Sequence, residues 1–131
     1  MENHNQQGAF SWNELLTKDV AAAKEFYSQL LGWETEDMPM EEGTYTILKV
    51  GDEQVGGIMT IPPQAEQMGA PPSWGTYITV DDVDTTAAKA QELGATTLVP
   101  PTDVPGVGRF STIQDPQGAV VSIIKYVPME E

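Results

Sequence analysis

The sequence predicts an α+β protein built from two tandem βαβββ modules. Three observations carry that expectation. The chain repeats itself at an offset of 62 residues, each copy opens with a strand and an Asp-capped, Gly-stopped helix, and a Pro-rich stretch separates the copies. In that register Ser11-Trp12 falls on Ser73-Trp74, Thr17 on Thr79, Asp19 on Asp81, Gln29 on Gln91 and Leu31-Gly32 on Leu93-Gly94. Thr35 meets Thr97, and Gly56 meets Gly118. Any two βα units share an Asp cap and a Gly stop. The common register of the remaining matches is what points to duplication.

The elements follow in order. Residues 1–8 (MENHNQQG) form a polar tail, residues 9–61 the first module, residues 62–73 a linker and residues 74–131 the second module, all within one compact domain. Phe10 to Thr17 reads as a strand, and Asp19 caps a helix from Val20 to Leu31 that Gly32 stops. Val20, Ala23, Tyr27, Leu30 and Leu31 fall on one helical face, with Phe26 beside them. Strands are expected over Trp33–Glu36, Thr44–Val50 and Gln54–Ile61, the last two joined by a Gly51-Asp52 turn. The acidic stretch from Glu34 to Glu42 lacks the ligand spacing and turn glycine of an EF-hand, so a solvated loop is expected there. The linker holds four of the ten prolines and reads as an extended connection. In the second copy Trp74–Val80 is a strand, Val83–Leu93 a helix with Val83, Ala87 and Ala90 inward, and Gly94 its stop. Strands recur over Thr96–Val99, Gly108–Gln114 and Ala119–Tyr126. Asp115-Pro116-Gln117-Gly118 is the sharpest turn signal, because Pro fixes φ at the second position and Asp and Gly suit the first and fourth.

Composition narrows the function. At 131 residues the chain can bury a working core, and no apolar run approaches the roughly 20 residues of a membrane span. The polar start lacks the basic and apolar regions of a signal peptide, so a cytoplasmic location is expected. Without cysteine there is no disulfide, thiolate ligand or thiol nucleophile. Twenty acidic residues against six basic ones give a net charge of −14, and six scattered cations cannot build a phosphate-neutralising footprint. Nucleic acid and anionic membranes are therefore not expected partners. The acidity itself is read as a matter of solubility.

Two stretches sharpen the picture. Trp12 to Trp33 (WNELLTKDVAAAKEFYSQLLGW) has a strand ending in Asp and a helix carrying Phe26-Tyr27 before a Leu-Gly-Trp finish. Gly108-Arg109-Phe110 followed by Asp115-Pro116-Gln117-Gly118-Ala119 closes the chain. Together they resemble the glyoxalase/bleomycin-resistance/extradiol-dioxygenase (vicinal oxygen chelate) superfamily, over about Phe10 to Pro128. The resemblance implies a curved open sheet with the helices on its convex side, a concave cleft that carries function, and a homodimer. It also implies four metal ligands, His, Gln or Glu, at set positions. Carried over to this chain, those positions are Trp12, a residue near Thr60, Trp74 or Gly75, and Ser122. Repeat alignment favours Trp74, whereas strand alternation favours Gly75. None of these side chains replaces an imidazole or carboxylate on a first-row metal. The one histidine, His4, lies in the polar tail. No metal and no cofactor is expected, and Ser122 stands where the glyoxalase base would be.

Other side chains remain for the cleft. If Trp12 points inward, alternation sends Glu14 inward as well, where a carboxylate could hold a cation or act as a base; a salt bridge or an exposed edge is the ordinary alternative. Arg109 could clamp a carboxylate or phosphate, or simply pair with surface acids. Trp12 and Tyr77 are the aromatics expected in a pocket, beside Thr60 and Ser122. Trp33, Trp74, Tyr45 and Phe110 are expected in core packing. Two functions stay open. One is a metal-free protein that binds or sequesters a small organic molecule, akin to the bleomycin-resistance branch. The other is a lyase or isomerase of the lactoylglutathione lyase kind acting on a small carbonyl compound, with Glu14 as base.

Overall fold

The computed structural model describes residues 6–40, 43–104 and 107–127. Two compact units emerge, Asn13–Gly75 and Met1–Trp12 together with Thr76–Glu131. Each contains a strand, a helix and three further strands, so the α+β class and the paired βαβββ grammar both hold.

In the first unit the elements are β1 (Phe10–Thr17, whose first three residues belong to the other unit), α1 (Val20–Leu31), β2 (Glu34–Met40), β3 (Gly43–Val50) and β4 (Glu53–Thr60). β1 pairs with β4 in parallel, and β4–β3 and β3–β2 are antiparallel. The Asp19 carboxylate accepts from Ala22 N–H at 3.0 Å, satisfying one of the orphan donors that begin α1. Gly32 ends the helix at φ 77°, a left-handed conformation that a Cβ would strain. α1 sets Val20, Ala23 and Tyr27 on Leu15, Leu48 and Ile58, which are almost fully buried. Leu30 and Leu31, expected on that inner face, are instead exposed, because Trp33 stacks on Tyr27 and closes the core at this end.

The acidic stretch is also corrected. Through Met40 it is strand β2 rather than a loop, while residues 41 and 42 lie outside the described residues. Asp37 makes this possible: it accepts from Lys24 Nζ at 2.9 Å and from the Thr46 hydroxyl at 2.8 Å, both on the helix side. These hydrogen bonds, Lys24 first, hold its carboxyl below the usual range. Pro39 is tolerated because β2 is an edge strand and needs no second ladder. After β4 comes a short helix, α2 (Pro63–Gln67), inside the stretch expected to be an extended linker. Pro63 sits at its first position, where a missing N–H is harmless.

In the second unit β5 (Ser73–Thr79, joined here from Thr76) is followed by α3 (Val83–Glu92), β6 (Thr96–Val104), β7 (Gly108–Gln114) and β8 (Val120–Tyr126). β5 pairs with β8 in parallel, with β8–β7 and β7–β6 antiparallel. The start of β1 lies alongside β5, where Gly8 N–H donates to Thr79 O and Thr79 N–H to Ala9 O, each at 2.8 Å. Asp82 caps α3 through Thr85 N–H at 3.0 Å. Val83 and Ala87 then pack on Val80 and Ile123. β6 runs through Pro100-Pro101, longer than expected, again as an edge strand with register shifts at the prolines. In the final turn Asp115 Oδ1 accepts from both Gln117 and Ala119 N–H at 2.9 Å. No helix among the described residues is long and apolar enough to cross a membrane.

Candidate ligand-binding site

The helix caps reset the repeat. They are Asp19 and Asp82, 63 residues apart (82 − 19) rather than 62. Core pairs agree: Leu15 lies beside Ile58 under α1, and Ile78 beside Ile123 under α3. Glu14 therefore corresponds to Tyr77, and Trp12 to Gly75. Trp74 is not on the face of Glu14. It belongs to the α1 side, edge-on to Tyr27 at 5.5 Å and donating its indole N–H to the Tyr27 hydroxyl at 3.3 Å.

The same register relocates the fourth-strand position. Glu14 is beside Gly57 as Tyr77 is beside Ser122. Thr60 instead alternates with Ile58 toward the helix side and is exposed, paired with Thr17. A bulge between Leu48 and Lys49 shifts the hairpin, which strand alternation from sequence could not foresee.

On the face turned away from α1, the first unit thus presents Glu14, Tyr45, Ile47, Gly57 and Met59. Tyr45 donates its phenol to the Glu14 carboxylate at 2.9 Å. Gly57 makes that reach possible, since a Cβ there would overlap the Tyr45 hydroxyl and ring. Sequence reading placed Tyr45 in the core and missed Gly57; the GG pair at Gly56-Gly57 inside a strand was the available signal. In the second unit the face away from α3 carries Tyr77, Phe110, Thr112, Ser122 and Ile124. Ser122 and Thr112 share a hydrogen bond at 2.8 Å, and the Tyr77 and Phe110 rings lie 6.2 Å apart. Trp12 is half-buried, with its carbonyl accepting from the Thr76 hydroxyl at 3.4 Å.

Arg109 is elsewhere. Its guanidinium grips Asp84 of α3 through Nε and Nη2 at 2.8 and 2.9 Å, and Asp103 through Nη1 at 3.0 Å. It sits on the α3 side, in register with Lys125 and alternating with Phe110. The expected anion clamp is thus an ion-pair bracket between helix and strand. Those hydrogen bonds push the guanidinium up and the Asp84 carboxyl down from their usual ranges. Nearby, burial pushes the Tyr126 phenol up, against its 2.7 Å hydrogen bond with Ser11.

These residues do not fit a divalent metal. Trp12, Gly57, Gly75 and Ser122 offer one hydroxyl among them, and the adjacent Glu14 is a single carboxylate. Among the described residues no three His, Cys, Asp or Glu side chains gather at one point. The class of protein so defined is a paired βαβββ fold whose usual chelating positions carry no chelating side chain.

The chain belongs to the family described as the Glyoxalase/Bleomycin resistance protein/Dioxygenase superfamily, which matches residues 9–123. It is 42% identical over 127 residues to CFP32 of Mycobacterium tuberculosis, a protein provisionally named as a glyoxylase, covering 96% of this chain and 47% of that one. It is 31% identical over 135 residues to the anthracycline biosynthesis protein DnrV of Streptomyces peucetius, covering 94% and 49%. The chain thus spans about half the length of the curated relatives it matches. Methylmalonyl-CoA epimerase from Mycobacterium tuberculosis shares the fold, with a TM-score of 0.66 at 16% identity over 92% of this chain and 89% of that one. So does a homoprotocatechuate 2,3-dioxygenase variant from B. fuscum, with a TM-score of 0.63 at 20% identity over 97% and 35%.

Proposed function

We propose that this chain is a glyoxalase-like protein that binds a small organic molecule without a divalent metal, on the sheet faces turned away from the helices. One observation carries the reading. At the register positions that correspond between the modules, Gly57 has no side chain and Ser122 spends its hydroxyl on Thr112. What surrounds them is aromatic and polar: Tyr45 with Glu14 in one unit, Tyr77 with Phe110 in the other. Aromatic faces suit planar molecules, and a net charge of −14 favours cationic ones over distances set by screening. The relative named for anthracycline biosynthesis supports beginning with polycyclic aromatic compounds. The same reading takes a homodimer in the cytoplasm as the working form. Sedimentation equilibrium and cell fractionation test those two points.

Metal analysis of the purified protein is the direct test. Substoichiometric Ni, Zn, Fe and Mn are expected, and one tightly held ion per chain overturns the metal-free reading. The Glu14–Tyr45 hydrogen bond favours a second reading, an isomerase or lyase. There Glu14 would take a proton from carbon next to a carbonyl and return it to the same or a neighbouring carbon, with no net redox change. Glu14→Gln separates the two: turnover of a small carbonyl substrate vanishes under the second, whereas only ligand affinity changes under the first.

A further inference from the structure

We propose a separate ligand site on the opposite face of the first unit, beside α1, that takes a small planar aromatic molecule, neutral or cationic, bearing one hydrogen-bonding atom. A hollow of about 280 Å³ lies there, lined by Asn13, Trp33, Leu48, Val55, Gly56 and Trp74. Its place on the α1 side follows from register: Asn13 alternates with buried Leu15, and Leu48 lies beside Gly56. It does not depend on the reading above, because Glu14 and Tyr45 face the other way.

The walls are two indoles at 76° with centroids 6.0 Å apart, an L-shaped corner. Tyr27 braces both: it stacks on Trp33 at 5.6 Å and 24°, and its hydroxyl receives the Trp74 indole N–H. Held on two sides, Trp74 nevertheless remains 43% exposed. Core packing alone would have covered so large an apolar ring, whereas a ring fixed in place and left open is prepared for a stacking partner. The floor is flat. Leu48 is 1% exposed, and a Cβ at Gly56 would come 2.6 Å from the Asn13 carbonyl oxygen. No charged side chain lines the hollow, and Asn13 contributes its sole side-chain amide.

Size and charge select the ligand. The volume falls just under the roughly 300–1,000 Å³ typical of drug-sized ligands, which points to about two fused rings. An apolar hollow in a protein of net charge −14 disfavours anions. The Asn13 amide can meet one ring nitrogen or amino group.

Titration calorimetry with quinoline, 4-aminoquinoline and 2-naphthoate tests the site. The first two are expected to bind at one site per chain and the anionic naphthoate at least tenfold more weakly, on the order of one lost favourable charge contact. Trp74→Ala is expected to weaken quinoline roughly tenfold, the worth of an aromatic stacking pair. Val55→Phe, which fills the hollow without touching the Tyr27 brace, should abolish binding and guards against a misfolded Trp74 variant. Absence of binding by both quinolines overturns the proposal, as does naphthoate binding with equal affinity. Binding that survives both variants overturns it too, and its loss in Glu14→Gln instead would move the ligand to the opposite face.

Discussion

Gly57→Ala probes whether the Glu14–Tyr45 pair depends on a missing side chain. The new methyl overlaps the tyrosine hydroxyl and ring, so the ring must swing aside and the 2.9 Å hydrogen bond to Glu14 is lost. A hydrogen bond to a charged acceptor contributes about 1.5–3 kcal/mol, and the low end applies because both side chains are half-exposed. Against this, alanine regains about 0.5–1 kcal/mol of the entropy that glycine loses in a strand. The net cost is expected to be about 1 kcal/mol or slightly more. With Tyr45→Ala already in place there is no ring to displace, and the same substitution should be neutral or stabilising by about 0.5–1 kcal/mol. Urea unfolding of the four variants in the cycle gives the coupling, expected near 2 kcal/mol in total. If Gly57→Ala costs the same on both backgrounds, within about 0.5 kcal/mol, Gly57 has nothing to do with seating Tyr45 and the argument fails.

Two other outcomes follow from the same geometry. Ser122→Ala strands the Thr112 hydroxyl beside it and should destabilise by about 1 kcal/mol, whereas Ser122→Ala with Thr112→Val should recover most of that in chemical denaturation. Arg109→Gln removes the partner that lowers the Asp84 carboxyl below its ordinary 3.8. A carboxyl lowered on folding stabilises above its unfolded value, and that contribution is lost as pH falls through the lower folded value. The variant should therefore unfold at a higher pH than the parent on acid titration followed by circular dichroism. Ligand affinity should not change, because Arg109 faces α3; a large affinity loss would return it to the binding face.

Much of the fold was legible because it rests on local rules. The Asp19 cap and the Gly32 stop are where the sequence expects them, since capping needs only a side-chain oxygen or a missing Cβ at one position. β7 spans Gly108–Gln114 as expected, and the Asp115 turn closes as its residues require. Less legible was anything that depended on what lay across the sheet. Thr60 was one face off because a bulge between Leu48 and Lys49 changes which residue meets Glu14. Asp37 sits in a strand because Lys24 and Thr46 satisfy it from two other elements. Leu30 and Leu31 stay exposed because Trp33 closes the core before the helix ends.

By itself, the sequence determined the two-module plan, the acidity and the want of chelating side chains, because composition, period and capping are properties of a residue and its near neighbours. Only the tertiary structure decided that the repeat runs at 63 residues rather than 62, turning Trp74 away from Glu14 and toward Tyr27. It alone joined Tyr45 to Glu14 over a bare glycine and tied Arg109 to Asp84. The physical reason is the strand's period of two: one residue of register reverses the face of every side chain, and register is set by distant backbone partners.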